Sequence, residues 1–269
     1  MAARHREDDQ GTDRDTYSDR DYSDRDHSDR RFGQAGDDDD FDSRELPDER
    51  YHEGRGGRRT DADDDRSRVA VIYYSATGSI YTMAQAAAAG AADAGSAVRL
   101  RRVRETAGPE AVAANPRWST HFRSTEGVAI AELADVAWAD AIVFGTPSRF
   151  GNVAAQLKAF IDTLGPLWGR GELIDKVFAG FTSSATLHGG QESTLLALYQ
   201  SVHHFGGIVV APGYADPVQF DNGNPYGASH TSDNGRIPPG EVELAAARFT
   251  GYRVATIAAA LRLGLDRLG

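Results

Sequence analysis

The sequence predicts an α/β fold in which five parallel strands form one doubly wound sheet with helices on both faces. β-rich runs at 68–74, 97–103, 140–147, 176–183 and 206–213 alternate with helical stretches near 79–93, 151–164, 191–205 and 240–263. Such alternation is typical of parallel strands joined by crossover helices. Runs such as 141–144 are apolar throughout, which suits a sheet that is covered on both sides. The chain from residue 68 onward, about 200 residues, is long enough for one domain of this kind.

The first 67 residues differ from the rest in composition. They hold 23 Asp and Glu against 13 Arg, a balance of −10, whereas the remainder holds 17 acidic and 16 basic residues, a balance of −1. They contain the repeat Tyr-Ser-Asp-Arg-Asp at Tyr17 and Tyr22, and very few aliphatic residues. Too little apolar surface is present to offset chain entropy. We therefore predict a disordered acidic tail over 1–67 and one domain over 68–269. A docking segment for a partner or a kinase is the alternative for the tail.

Composition also excludes several classes of protein and site. The chain has no cysteine, which removes disulfides, thiolate metal sites and thiol nucleophiles. No segment approaches the roughly 20 apolar residues that span a bilayer. The N-terminus has neither the apolar core of a secretory signal nor the acid-poor character of a transit peptide. We therefore expect a cytoplasmic protein without membrane insertion, and the near-neutral domain argues against nucleic acid as a partner.

The stretch 75–80 lies where the first strand becomes the first helix, and its composition suits an anion site. Small residues allow several backbone N–H groups to converge, hydroxyls can donate further hydrogen bonds, and the helix dipole adds positive potential. The stretch contains no lysine or arginine, so a phosphate would be held by neutral donors. It is neither a Walker A sequence nor a Gly-x-Gly-x-x-Gly turn. The alternative is an ordinary strand-to-helix turn with an N-cap serine.

Two further loops should meet this stretch at the same edge of the sheet. GTPSRFGN (145–152) follows the third strand, and TSSATLHGGQE (182–192) follows the fourth. In a sheet with strand order 2-1-3-4-5, ligands bind at the carboxyl edge, where the order reverses between strands one and three. A phosphate site between two loops rich in Gly, Ser and Thr favours flavin mononucleotide (FMN). Backbone groups can pair with the pyrimidine edge of its isoalloxazine, while Phe150 or the stem of Arg149 covers the ring.

The first loop resembles the phosphate loop of flavodoxins, and the motifs together resemble one family of that fold. An LYYS-like strand, GTPSRFGN, AFIDTLGPLW, HGGQE, HHFG and NPYGAS are similar to motifs of the WrbA-type NAD(P)H:quinone oxidoreductases, and the resemblance covers roughly residues 68–263. The resemblance implies a flavodoxin-like fold, FMN as cofactor, NADH or NADPH as hydride donor, a quinone substrate and a homotetramer. It also implies two-electron reduction by ping-pong hydride transfer through flavin N5, so no side chain is expected to be catalytic.

The resemblance also assigns site residues. The phosphate loop corresponds to Ser75, Ala76, Thr77, Gly78, Ser79 and Ile80. Beside the isoalloxazine it places Ser148, Arg149 and Phe150, and along the pyrimidine edge Ser183, Ser184, Ala185, Thr186, Leu187 and His188. His204 corresponds to a flavin-side histidine, and Trp168 to a tryptophan that reaches a neighbouring subunit's site and flanks the substrate cavity. At Thr77 the family often carries an aromatic residue that positions the nicotinamide or quinone, and threonine cannot provide that stacking.

Other interpretations of the same residues are weaker. His203 and His204 are adjacent, so on a helix they point about 100° apart and cannot easily share a metal ion. No Gly-x-Ser-x-Gly elbow supports a hydrolase. A flavodoxin-type electron carrier and a regulatory protein remain as alternatives, although carriers are strongly acidic around the flavin. Trp168 fits an interface anchor better than a core position. The long connection 221–240 is expected near the rim of the active site.

Overall fold

The computed structural model describes residues 66–268, which contain six strands and nine helices. The elements in chain order are β1 (Arg68–Tyr73), α1 (Ser79–Asp93), β2 (Ala97–Arg102), α2 (Pro109–Ala113), α3 (Pro116–Ser124), α4 (Leu133–Trp138), β3 (Ala141–Pro147), α5 (Ala155–Asp162), α6 (Gly165–Gly169), β4 (Val177–Ser184), α7 (Gln191–Phe205), β5 (Ile208–Val209), α8 (Val218–Asn222), β6 (Ser229–Thr231) and α9 (Glu241–Leu268). Of the predicted tail, residues 1–65 lie outside the described residues. Ser67 is buried, with its hydroxyl 2.5 Å from that of Ser96.

The strands form a parallel sheet in the order β2-β1-β3-β4-β5, as predicted. β1 pairs with β3 in the register Val69 to Ala141 and Tyr73 to Gly145. Every residue of β3 and β4 is buried, because helices cover both faces of the sheet. The carboxyl ends of β1 and β3, where the strand order reverses, lie side by side at one edge.

The fifth strand differs from the prediction. Only Ile208–Val209 of the run 206–213 pairs with β4, at the amino end of that strand. The chain then leaves the sheet, and Ser229–Thr231 returns as β6 to pair with Thr182–Ser184 at the carboxyl end of β4. β4 is eight residues long, so two short segments share its free edge. The local β-propensity of 206–213 could not reveal this exchange, because the competing segment lies about 20 residues further along the chain.

Two apolar layers hold the helices against the sheet. On one face α1 and α9 pack together over β1, β3 and β4. Their backbones approach so closely that a Cβ added to Gly251 would lie 1.9 Å from the carbonyl oxygen of Ala87. On the other face α4, α5 and α7 cover the sheet, with side chains such as Leu157 and Leu198 fully buried. Among residues 66–268, no helix combines the length and apolarity needed to span a bilayer.

The helix predictions are right for α1 and α7 and need correction elsewhere. The predicted helix over 151–164 begins only at Ala155, because the preceding residues Arg149–Asn152 close a tight turn. The last helix runs on to Leu268 rather than ending near 263. Between β2 and β3, where no helix is predicted, the chain forms the short helices α2, α3 and α4. Short helices leave little periodicity to detect, and proline at the first position of α2 and α3 is their main sequence signal.

Candidate cofactor-binding site

A cavity of about 310 Å³ opens at the carboxyl edge of the sheet, where the strand order reverses. The loop 75–80 forms one wall, and Pro147 and Arg149 after β3 form another. Ser183, Ser184 and Ala185 line it from the end of β4. The three loops singled out in the sequence therefore do meet around one space, as predicted.

The loop 75–80 presents unpartnered backbone donors to this cavity. Gly78 is the N-cap residue of α1 with φ +106°, a left-handed conformation that favours glycine, and no side chain caps the helix. The Ser75 hydroxyl instead accepts a hydrogen bond of 3.1 Å from the Gly78 amide and so closes the turn. The N-cap serine of the alternative interpretation is thus absent. Within residues 66–268, no acceptor meets the amides of Ala76, Thr77, Ser79 and Ile80.

These donors fit a phosphate group. Helix-terminal amides without an internal partner need an external acceptor, and they bind anions together with the positive end of the helix dipole. The hydroxyls of Thr77 and Ser79 lie on the same loop, and both residues line the cavity. The residues present therefore match the phosphate of FMN in number and kind of donor. In the part of the chain that the structure describes, Arg149 is the only charged residue that lines the cavity.

The loop after β3 is held in a strained turn. Arg149 and Asn152 exchange two backbone hydrogen bonds of 2.8 and 3.0 Å. The two residues between them, Phe150 and Gly151, have φ of +54° and +76°, as a type I′ turn requires. For Phe150 this conformation is costly, and its side chain is fully exposed at the rim rather than packed. Residue 150 therefore presents an aromatic ring to solvent beside the cavity without any gain from burial.

Ser148 has a role that the sequence did not indicate. Its hydroxyl donates to the carbonyl oxygen of Gly189 at 2.7 Å and accepts from the Thr194 hydroxyl at 2.9 Å. The Ser148 amide donates to the carbonyl oxygen of Ser183 at 2.6 Å. The side chain predicted to lie beside the isoalloxazine thus fastens the loop after β3 to the loop after β4.

The loop after β4 has a fixed base and an exposed tip. Ser183 and Ser184 are buried. The Ser184 hydroxyl donates to the carbonyl oxygen of Thr186 at 2.6 Å and accepts from the side-chain amide of Gln191 at 2.9 Å. The next four residues, Ala185, Thr186, Leu187 and His188, are exposed. Of these four, Ala185 lines the cavity. The base can therefore hold the direction of the loop while the tip remains open to a ligand.

Two further segments line the cavity and were missed as site residues. Asn115 and Trp118, at the start of α3, form part of its wall. The turn after β6 contributes Ser232, Asn234 and Gly235, which confirms that the connection 221–240 reaches the rim. The asparagine–proline pair that begins α3 was the available sequence signal, since Asn115 caps the helix that carries Trp118.

The turn after β6 lies directly on the phosphate loop. A Cβ added to Gly235 would lie 2.5 Å from the Thr77 hydroxyl, so the Gly235 backbone packs directly against the Thr77 side chain. The buried His230 anchors this turn, donating from Nε2 to the carbonyl oxygen of Ile237 at 2.9 Å and lying 3.3 Å from Glu243. The space next to Thr77 is therefore occupied by the chain itself.

Relatives support an assignment to a family. The family model for NADPH-dependent FMN reductase matches residues 67–219, more than half of the chain. The chain belongs to this family. An NAD(P)H dehydrogenase (quinone) of Deinococcus radiodurans is 46% identical over 167 residues, covering 62% of this chain and 84% of the relative. One of Sinorhizobium fredii is 45% identical over 201 residues, covering 72% of this chain and 98% of the relative.

A solved structure agrees. The flavodoxin, WrbA-like protein from Agrobacterium tumefaciens shares 30% sequence identity, with a TM-score of 0.52 over 71% of this chain and 97% of that one. The WrbA-type relationship and the flavodoxin-like fold that the motifs predicted are confirmed.

Two residues assigned by resemblance to the WrbA-type quinone oxidoreductases lie away from the cavity within one chain. His204 is in the last turn of α7, thirteen residues after Gln191, or roughly 20 Å along a helix that begins at the cavity edge. Trp168 lies beside it, because its indole N–H donates to the carbonyl oxygen of His204 at 2.9 Å. Trp168 is 46% exposed, so it is not a core residue. Its role at an interface stays a prediction.

A histidine that the sequence left without a role lies next to the phosphate loop. His121 of α3 approaches to 3.6 Å the position that a Cβ on Gly78 would take, and its ring centroid lies 5.6 Å from that of Tyr81. Burial lowers its pKa from the ordinary value of 6.5, so the neutral form is favoured. Near neutral pH, His121 therefore adds little positive charge to the site. This agrees with a phosphate site in which neutral amides and hydroxyls are the donors.

Proposed function

We propose that this chain reduces quinones by two electrons at the expense of NADH or NADPH, with FMN held in the cavity at the carboxyl edge of the sheet. Family membership makes it an FMN-dependent oxidoreductase of the NAD(P)H dehydrogenase (quinone) type. One observation carries the site: the unpartnered amides at the start of α1 open onto this cavity. In an ordinary turn those amides would have been capped by a neighbouring side chain.

Each loop has a distinct task in this proposal. The amides and hydroxyls of Ser75–Ile80 bind the phosphate, and the exposed residues 185–188 offer backbone groups to the pyrimidine edge. Arg149 and Phe150 border the isoalloxazine, and the Ser148 hydroxyl keeps their loop fixed to the loop after β4. When bound, the flavin supplies the hydride chemistry at N5 that links NAD(P)H to the quinone. The protein positions NAD(P)H and the quinone in turn in the same cavity.

The assembly is also part of the proposal. Trp168 and His204 are exposed next to each other at the amino end of the sheet, far from their own cavity. In a homotetramer, each chain would bring this pair to the cavity of a neighbour, where Trp168 would flank the quinone. A solvent-exposed tryptophan fits such a role, because aromatic residues are enriched where subunits meet. The cytoplasmic location likewise stays a prediction from the sequence.

Ligand binding by the full chain tests the site. We expect FMN to bind with a dissociation constant of about 1 μM or below, and riboflavin to bind at least about tenfold more weakly because it lacks the phosphate. Fluorescence titration of both ligands measures this. Absence of FMN binding at micromolar concentration, or equal affinity for the two ligands, would overturn the proposal.

Kinetics test the shared cavity. We expect the FMN-loaded chain to oxidise NADH when benzoquinone is present, with parallel lines in double-reciprocal plots at several quinone concentrations. Parallel lines follow if the nicotinamide must leave before the quinone enters. Intersecting lines would show that both substrates bind together. Absence of quinone reduction by a chain that binds FMN would favour the electron-carrier alternative.

A further inference from the structure

The cavity has one aromatic wall. Of its lining residues in the described chain, Trp118 is the only aromatic one; the rest are small, polar or aliphatic apart from Arg149. Trp118 lies in the first turn of α3, and the Asn115 side chain accepts hydrogen bonds from the amides of Arg117 and Trp118 at 3.1 and 3.3 Å. The cap fixes the helix start, and with it the place where the indole leaves the backbone.

The indole is also fixed at its nitrogen end. Its Nε1 donates to Oε2 of Glu105 at 3.1 Å, and the same oxygen accepts from the Tyr74 hydroxyl at 2.9 Å. The other carboxylate oxygen of Glu105, Oε1, accepts from the side-chain amide of Gln156 at 2.7 Å. Glu105 thereby connects Tyr74, the residue directly after β1, with α3 and α5 through side-chain hydrogen bonds. A half-buried indole held in this way has little freedom to rotate.

The neighbourhood of Trp118 suits a flat ring. The ring packs against the apolar core on the side of α5 and α7 while still lining the cavity. Arg149 also lines the cavity; burial and the neighbouring Glu105 raise the pKa of Tyr74, and the positive charge of Arg149 opposes that rise. Aromatic and guanidinium surfaces both stack on heteroaromatic rings.

We infer that Trp118 is a stacking wall of this cavity, on which a flat heteroaromatic ring packs beside the loop 75–80, and that Glu105 is the positioning residue for its indole. The inference rests on the proposed function, since it needs a flavin or nicotinamide ring in the cavity. Trp118 then supplies the aromatic surface that Thr77, as a threonine, does not offer. Gly235 occupies the space next to the Thr77 side chain. The isoalloxazine of FMN and the nicotinamide of NADH share the required chemistry.

Matched variants test the wall. Trp118→Leu keeps apolar bulk without the aromatic face, Trp118→Phe keeps an aromatic face without the N–H, and Trp138→Leu is the control. Trp138 does not line the cavity, and the guanidinium of Arg99 lies 4.0 Å above its ring. If the isoalloxazine stacks on the indole, we expect Trp118→Leu to raise the FMN dissociation constant about tenfold and to increase the fluorescence of bound FMN. Trp118→Phe should change both quantities less. If the nicotinamide stacks, the KM for NADH rises about tenfold instead, at unchanged FMN affinity.

The outcomes separate this inference from the proposed function. If the unchanged chain does not bind FMN, both fail. If the unchanged chain binds FMN, but Trp118→Leu equals Trp138→Leu in FMN affinity, in fluorescence of bound FMN and in KM for NADH, only the stacking wall is refuted. Melting temperatures identify variants that merely lose stability, and Trp118→Phe, which preserves most of the volume, then decides.

Glu105 has its own test. We expect Glu105→Gln to change the same binding constant as Trp118→Leu, by a smaller factor, and to add nothing in the double variant with Trp118→Leu. A residue that only stabilised the fold would lower the melting temperature equally in both backgrounds and leave the binding constant unchanged. That result would overturn the positioning role.

Discussion

A negative charge placed inside the phosphate loop should separate FMN from riboflavin. The Ser75 hydroxyl accepts a hydrogen bond from the Gly78 amide at 3.1 Å, so it lies within the turn that gathers the unpartnered amides. Ser75→Asp keeps an acceptor at this point and adds one charge. Ser75→Asn keeps the acceptor and nearly the same shape without the charge, which makes it the matched control.

The size of the effect follows from the geometry of the loop. A phosphate that accepts hydrogen bonds from the neighbouring amides would lie about 5 Å from the new carboxylate. Its two charges and the carboxylate repel by about 1.7 kcal/mol at the dielectric constant of water, and by about 6.6 kcal/mol at an effective value of 20. The lower limit corresponds to an increase of about 15-fold in the dissociation constant of FMN for Ser75→Asp relative to Ser75→Asn.

The assay is a fluorescence titration of both variants with FMN and with riboflavin. Riboflavin carries no phosphate, so its affinity should be the same for the two variants within about twofold. Melting temperatures of the ligand-free variants report any difference in stability. Equal FMN affinity in the two variants, or an equal loss of riboflavin binding, would refute the placement of the phosphate at residues 75–80.

Four other substitutions test the packing, the titration and the strain that the structure contains. Gly251→Ala should lower the free energy of unfolding by about 1–3 kcal/mol or more, because the new Cβ would lie 1.9 Å from a backbone oxygen of α1. Gly264→Ala, in the same helix but with open space around it, should be neutral or stabilise by up to about 1 kcal/mol; urea unfolding measures both. Burial lowers the pKa of His121 below 6.5, so the unfolded chain binds more protons and stability should decrease as pH falls from 6.5; His121→Gln should reduce that decrease in urea midpoints. Phe150→Gly should not lower stability, because it removes an exposed ring from a residue at φ +54°. If that ring covers the isoalloxazine, the same substitution should raise the FMN dissociation constant in titrations.

Opposite results would be informative for each. If Gly251→Ala were as stable as Gly264→Ala, helix propensity, and not the contact between α1 and α9, would set the effect. An unchanged pH dependence in His121→Gln would assign the decrease to other groups. A large loss of stability in Phe150→Gly would show that this turn depends on the phenylalanine ring.

The alternation of strands and helices could be predicted because it depends on local patterns, and the strand order was implied by the resemblance to flavodoxins. Buried strands such as Ala141–Pro147 and Val177–Ser184 begin with apolar runs and include serine or threonine near their ends, and crossover chirality leaves few ways to join them. The three loops that follow β1, β3 and β4 had to share one edge. Their meeting around the cavity therefore follows from the order of elements, and the residues that line it could be named in advance in part.

Other features could not be predicted from local patterns. The pairing of Trp118 with Glu105 joins residues thirteen apart through an irregular connection, and nothing in the intervening sequence sets that distance. The Ser148 hydroxyl looks like a ligand donor in the sequence, yet it reaches across 41 residues to the carbonyl oxygen of Gly189. His204 was assigned to the flavin, but the length of α7 carries it to the other end of its own chain's sheet.

The sequence by itself determined the alternation of strands and helices, the polar loops at one edge of the sheet, and the absence of cysteine chemistry, because these depend on residue type and spacing along the chain. Only the tertiary structure decided that β6 shares the edge of β4 with β5, that the amides of Ala76, Thr77, Ser79 and Ile80 find no acceptor among residues 66–268, and that Trp118 lines the same cavity. The physical reason is that a donor is satisfied or free, and a ring buried or available, according to neighbours that are distant in sequence.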